Sequence, residues 1–434
     1  MDKMADVLGR AGAWCGQNKY LSAIKNAFQN FMPLTIAGAI GVLWCNVLVN
    51  ESTGLGIFFK PIMALEFLNP AFQAVNFCTI SCITVGITLG IAQEIGVWNM
   101  GAERAGYIPG LVGLAAWLSV TNTSHMVEGA KDAFTGIAGN ELGATGLFTG
   151  MIIGVLSVEL FCFFEKQDAL KIKMPEQVPP GVARAFEVLV PATITLIITA
   201  CIGSACYNLT GLYLNDVIKN GIQGPLGAVG ATIPGVMIIY LVIMLFWLVG
   251  IHGNNMLSAV KEALFTPLAL ENVEAFNKGE TPKNIINMYA LQMWGEFGGS
   301  GVTIGLVIAI MIFGKREDNK AIATLSLVPG LFNINETVTF GIPMVLNPIL
   351  GIPFVVAPLV TIIIGYVLTV IGFCPVACLT VPWTTPPIVF GFLACGASIR
   401  GAVTQAILIV VSTVIYTPFL ISYEKYQNKQ AAEA

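Results

Sequence analysis

Apolar runs long enough to cross a bilayer recur along nearly the whole chain, separated by short polar loops. A span needs about 20 apolar residues. Such runs lie near 31–50, 72–93, 105–121, 143–164 and 187–210. In hydrocarbon every backbone N–H and C=O must find a partner inside the protein, so a spanning segment is a helix or part of a closed barrel. Continuous runs of this length read as helices. Only 11% of the 434 residues are charged, against about 25% in soluble domains. The chain reads as an all-α polytopic membrane protein. Its net charge of −4 says little, because membrane topology depends on where Lys and Arg sit, and no nucleic-acid partner is expected.

Short loops test orientation, since Lys and Arg favour the cytoplasmic side. Met1 to Gln29 holds Lys3, Arg10, Lys19 and Lys25 without a compact apolar core or a small-residue cleavage site. It reads as a cytoplasmic amphipathic lead-in, not a cleaved signal. The loop near 51–70 is then outside, Glu94 to Arg104 inside, and 122–142, with His125, Glu128, Lys131 and Asp132, outside. Lys166 to Arg184 returns inside. The proline-rich stretch 171–190 reads as a stiff interfacial connector, and 215–227 as a second amphipathic stretch.

Beyond residue 226 the regular count fails. A span over 233–250 is interrupted at Gly250-Ile251-His252-Gly253, and a short apolar piece follows at 256–270. The run 285–313 is broken at Gly298-Gly299-Ser300-Gly301. Lys315, Arg316 and Lys320 read as cytoplasmic. Spans near 350–373 and 402–422 close the chain, with Lys425 and Lys429 placing the C-terminus inside. Pieces too short to cross are expected to be re-entrant. Two halves result: 1–225, a regular bundle suited to scaffolding, and 226–434, broken by Gly, Pro and polar residues as a transport site requires.

Glu336 sits in the apolar region from Ala321 to Val370, bracketed by Pro329, Gly330, Gly341 and Pro343. A carboxylate at membrane depth is costly and commonly faces a cavity or a partner. His252, between two glycines at a helix break, is the second candidate. A neutral imidazole both donates and accepts a hydrogen bond, so the pair suits a hydroxyl-rich ligand or activation of a hydroxyl. The competing readings are a structural tie for His252 and an ion pair with Arg400 for Glu336. Asn333, Asn335, Asn254 and Asn255 could bind hydroxyls or cap helix ends. Trp383, beside Thr384, could stack on a sugar face or belong to the interfacial belt. Gly299 and Ser300 could meet a ligand or serve close helix packing. Glu296, Glu94 and Glu159 read as interfacial. The ten cysteines, including Cys78/Cys82 and Cys374/Cys378, read as small apolar residues, and no metal site or cofactor is expected.

Several strings run in order along the chain: Phe31-Met32-Pro33-Leu34, Lys173-Met174-Pro175, Val178-Pro179-Pro180 and Gly250-Ile251-His252-Gly253. Gly298-Gly299-Ser300-Gly301, Asn333-Ile334-Asn335-Glu336, Gly341-Ile342-Pro343 to Asn347-Pro348 and Pro382-Trp383-Thr384 follow. Together they resemble the membrane-embedded enzyme IIC of the bacterial sugar phosphotransferase system, lactose/cellobiose/diacetylchitobiose class. Thr337 replaces the family's usual Pro after the Glu, and Val302 its usual Ala.

The resemblance implies about ten transmembrane helices, two re-entrant hairpins and interfacial amphipathic helices, in a homodimer built through the N-terminal half. It implies an elevator-type transporter in a bacterial cell membrane. The substrate is then a β-linked disaccharide such as cellobiose, diacetylchitobiose or lactose. A cysteine-phosphorylated enzyme IIB, itself charged through enzyme IIA, would phosphorylate the sugar 6-hydroxyl. His252 and Glu336 would flank that hydroxyl and either could serve as base. The chain would not be an independent enzyme. On the residues alone, an ion-coupled secondary sugar transporter with Glu336 as the coupling carboxylate remains an alternative.

Overall fold

The computed structural model describes residues 10, 13–14, 17–51, 56, 59–125, 134–175, 177–342 and 344–433. Lys3, Glu128, Lys131, Asp132 and Pro343, used above for orientation and helix breaking, lie outside the described residues. The described chain is almost wholly helical. Its one strand pair is a two-residue antiparallel ladder, Ser124–His125 with Phe134–Thr135.

Among the described residues, five helices are long and apolar enough to cross a membrane alone: Lys19–Leu48, Ala144–Glu165, Pro180–Thr210, Gly351–Val370 and Ile399–Glu433. Two bent pairs raise the number to as many as seven. One bends by 42° between Lys60–Ser81 and Ile83–Met100, the other by 60° between Met288–Val302 and Ile304–Phe313. The second bend falls at the Gly-Gly-Ser-Gly run. Ile108–Val120 and Ile233–Leu248 are shorter apolar helices.

Three expected boundaries move. The span expected at 72–93 is broken between Ser81 and Ile83, where the axis bends by 42°. Among the described residues, the first helix long and apolar enough to span begins at Lys19, so the latter part of the expected lead-in belongs to it. The expected connector 171–190 is a connector only in its first part, because Pro180 opens the helix Pro180–Thr210. Proline at a first helical position gives up an N–H that has no intrahelical acceptor in any case.

The chain divides into two compact units. The first comprises Gln17–Gly38 and Val75–Ala228. Here Ile83–Met100, Ile108–Val120 and Ala144–Glu165 pack through small residues. A Cβ on Gly96 would strike Pro109, one on Gly113 would strike Ala92, and one on Gly150 would strike Thr88. Such contacts let helix backbones approach closely, which drives association in lipid. Glu165, with only 3% of its side chain exposed, is held by Arg104 at 2.8 Å and Arg184 at 2.9 Å. Both arginines also reach Glu187. Glu94 accepts from Asn26, and Glu159 pairs with Lys19 at 2.6 Å, so these acids are engaged with partners inside the unit.

The second unit holds Ala39–Ala74 and Val229–Ala434. Its core is aromatic, with Tyr240, Trp294, Phe297, Phe354 and Tyr416 fully buried. Ile399–Glu433 packs along Ile304–Phe313 and Gly351–Val370. All nine described cysteines are free. Cys374 and Cys378 are buried, as expected of small apolar residues, whereas Cys78 is exposed.

Arg184→Ala leaves the buried Glu165 with a single cation. The expected outcome is a loss of about 2 kcal/mol, read as a lower unfolding midpoint of the full chain in detergent.

Candidate functional site

We number the helices that build the site α1 (Ile233–Leu248), α2 (Gly253–Asn277), α3 (Met288–Gly295), α4 (Glu317–Leu331) and α5 (Glu336–Gly341). All belong to the second unit. Helix α1 ends in a left-handed turn at Gly250, φ +82°. The Gly250 N–H returns to the Trp247 carbonyl and the Ile251 N–H to that of Phe246, each at 3.0 Å. This pairing satisfies the last carbonyls of α1. Gly253, the first residue of α2, lies against α1 so closely that a Cβ would meet the Ile243 carbonyl.

His252 stands between the two helices and caps α2. Its Nδ1 accepts the Asn255 N–H at 3.3 Å. That bond uses the Nδ1 lone pair, so the proton of the neutral ring resides on Nε2. Nε2 lies 3.9 Å from Glu336 Oε1, with side-chain exposures of 37% and 47%. The gap is too long for a direct hydrogen bond. A hydroxyl oxygen about 2.8 Å from each atom fits between them. The Trp247 ring packs against the imidazole, centroids 4.4 Å apart, and Phe354 meets Trp247 edge-on. The expected break at Glu336 is present: α4 stops at Leu331 and α5 starts at Glu336. Arg400 does not pair with Glu336; its guanidinium donates to the Gly372 carbonyl at 3.1 Å.

The amide side chains occupy themselves with the frame. Asn333, in the left-handed region at φ +62°, accepts the Gly298 N–H at 2.6 Å. Its amide nitrogen donates to the carbonyls of Trp383 and Thr385. One side chain therefore joins the Gly-Gly-Ser-Gly turn to the Pro-Trp-Thr-Thr segment. Asn335 donates to the Ser300 carbonyl at 2.8 Å. It also fills the space where a Cβ on Gly299 would sit, which explains a glycine there beyond its φ of +88°. Asn254 donates to Ser300 Oγ at 2.9 Å, while its Oδ1 is buried without a partner. Asn255 enters the cap through its backbone N–H. Trp383 is 44% exposed, and Thr384, beside it, is half-buried.

The nine candidates thus fall into two sets. His252, Glu336, Trp383 and, half-buried, Thr384 keep functional atoms accessible. Asn333, Asn335, Ser300, Gly299 and Asn254 are drawn into contacts that shape the turns. Trp247, not singled out in the sequence, is a buried packing residue that supports the His252 ring. Sequence reasoning also passed over Lys261, which lies within the piece read as simply apolar and is ion-paired to Glu296. A lysine in such a run was itself the available signal. Glu296 is not merely interfacial, since the Tyr240 hydroxyl also donates to it at 2.7 Å.

The family model described as "Phosphotransferase system, EIIC" matches residues 25–358. The oligo-beta-mannoside-specific EIIC component of Bacillus subtilis (strain 168) is 33% identical, covering 98% of this chain and 94% of that protein. The cellobiose-specific EIIC component of Lactococcus lactis is 30% identical, covering 98% of each. The solved structure of ChbC, the IIC component of the N,N'-diacetylchitobiose-specific phosphotransferase system, superposes with a TM-score of 0.88. It is 29% identical and covers 97% of both chains.

Asn333→Asp keeps the shape and the acceptor for Gly298 but loses both donated bonds and sets a carboxylate against two carbonyls. The expected outcome is destabilisation by about 3 kcal/mol, read by thermal unfolding in detergent.

Proposed function

The chain belongs to the phosphotransferase system EIIC family, and from that premise we propose that it binds a β-linked disaccharide and presents the sugar 6-hydroxyl for phosphorylation during translocation. It is a multi-pass membrane protein and the sugar-specific component of such a system. The finer reading rests on the His252–Glu336 pair, separated by 3.9 Å and lying beside Trp247, whose ring packs on His252.

A disaccharide offers hydroxyls at its edges and C–H faces above and below. Trp383, 44% exposed, supplies an aromatic surface for one of those faces, and the pair receives one hydroxyl. The donor is enzyme IIB carrying a cysteinyl phosphate, recharged through enzyme IIA. The sugar oxygen attacks phosphorus, the S–P bond breaks, and sulfur departs as thiolate. Phosphoryl transfer depends chiefly on positioning and charge stabilisation, so a modest base suffices.

The capping bond divides the labour within the pair. Nδ1 of His252 is committed to Asn255, so the ring faces the hydroxyl as an Nε2–H donor. Glu336 is left to take the hydroxyl proton. Asn333, Asn335, Gly299, Ser300 and Asn254 act in this reading by holding the turns, Asn254 through its bond to Ser300, while the half-buried Thr384 is available to the sugar. The C-terminal half carries the sugar in an elevator-type movement. The N-terminal half serves as scaffold and forms a homodimer in the lipid of a bacterial cell membrane, with both termini cytoplasmic.

The test is uptake of labelled cellobiose, diacetylchitobiose, lactose and a β-mannoside disaccharide into proteoliposomes, with and without phosphorylated enzyme IIB. Accumulation of sugar phosphate only with the partner supports group translocation. Accumulation of free sugar driven by an ion gradient favours the coupled-carrier alternative. Glu336→Gln should cut phosphorylation by about a hundredfold or more while the protein stays folded. His252→Ala should weaken sugar binding about tenfold, read by calorimetry, and unchanged affinity would leave His252 as a helix cap alone.

A further inference from the structure

A buried ion pair in the second unit has no part in the reading above. Lys261, on the helix that His252 caps, pairs with Glu296 Oε1, with side-chain exposures of 7% and 17%. The Tyr240 hydroxyl donates to the same oxygen at 2.7 Å. Among the described residues, Glu296 Oε2 takes no hydrogen bond. A carboxylate offers about four acceptor positions, so both donors crowd one oxygen and leave the other available.

The pair lies among the elements that build the site. The Glu296 carbonyl accepts the Gly299 N–H at 3.0 Å, one residue beyond the N–H held by Asn333. Tyr240 belongs to α1, which also carries Trp247. A buried ion pair seldom stabilises a fold more than apolar residues of the same volume. Charges kept at membrane depth are commonly engaged in ligand recognition.

We propose that Glu296 is a further sugar-contacting residue, accepting a disaccharide hydroxyl at Oε2 while Lys261 and Tyr240 act as positioning residues that fix Oε1. The proposal rests on the disaccharide reading above and adds a second polar anchor to it, distinct from the hydroxyl between His252 and Glu336. A site built to accept a particular hydroxyl discriminates strongly against an analogue lacking it. Glu296 would therefore help to select among disaccharides of similar size.

The experiment is calorimetric binding to the full chain in detergent. It compares the best of the four sugars and its monodeoxy analogues on the wild type and on Glu296→Gln. Loss of about tenfold in affinity is expected from the substitution. One monodeoxy analogue should lose a comparable factor on the wild type and nothing further on the variant. An equal loss for every analogue, or no loss for the parent sugar, overturns the contact and leaves the pair as packing. If Glu296→Gln alone fails to fold, Lys261→Met combined with Glu296→Gln removes both charges together, and the same non-additivity is expected of it. If none of the four sugars binds the wild type, the disaccharide reading itself fails, and this contact with it. If the wild type binds and Glu336→Gln abolishes phosphorylation while the analogue pattern is absent, only the Glu296 contact falls.

Discussion

A backbone polar group released by a broken helix must find a partner inside the protein when the surroundings are apolar. Leaving one unsatisfied costs several kcal/mol in hydrocarbon. The second unit breaks its helices at 249–252, 296–303 and 332–335. Its side-chain amides are spent largely on repairing those breaks. Asn333, Asn335 and His252 each take up backbone groups at a helix end. Further along, Asn272 and Asn287 both donate to the Ala377 carbonyl. The breaks free backbone groups, and the amides make them compatible with a stable fold.

That division has a chemical consequence. Atoms committed to the frame are poor ligands for a sugar, because using them means breaking a bond already made. The groups left over are few: one imidazole N–H, the Glu336 carboxylate, the exposed indole face of Trp383 and the second oxygen of Glu296. Such a set favours neutral, hydroxylated ligands with apolar faces.

Much of this was legible in the chain. Glu336 announces itself as a carboxylate among apolar residues, and Gly250, Gly253 and Gly298 to Gly301 mark the breaks where the structure has them. What an amide does at a break was not legible, because Asn333 offers the same donor and acceptor to a sugar as to Gly298 and Trp383. Only the fold decides between them. Lys261 and Glu296 lie 35 positions apart, and nothing in local pattern pairs them. The grouping of Ala39–Ala74 with residues beyond 228 likewise depends on packing distant in sequence. The Lys19 start of the first long apolar helix among the described residues is not marked in the sequence because its opening turns are too polar to count toward an apolar run.

The amide of Asn333 grips two loops at once, the turn near Gly298 and the segment from Trp383 to Thr385. Neither can swing away alone without forfeiting bonds in a medium that supplies no substitutes. The indole of Trp383 is thereby geared to the glycine turn. Whatever displaces one drags the other, so the aromatic floor and the turn behind it behave as a single mechanical part.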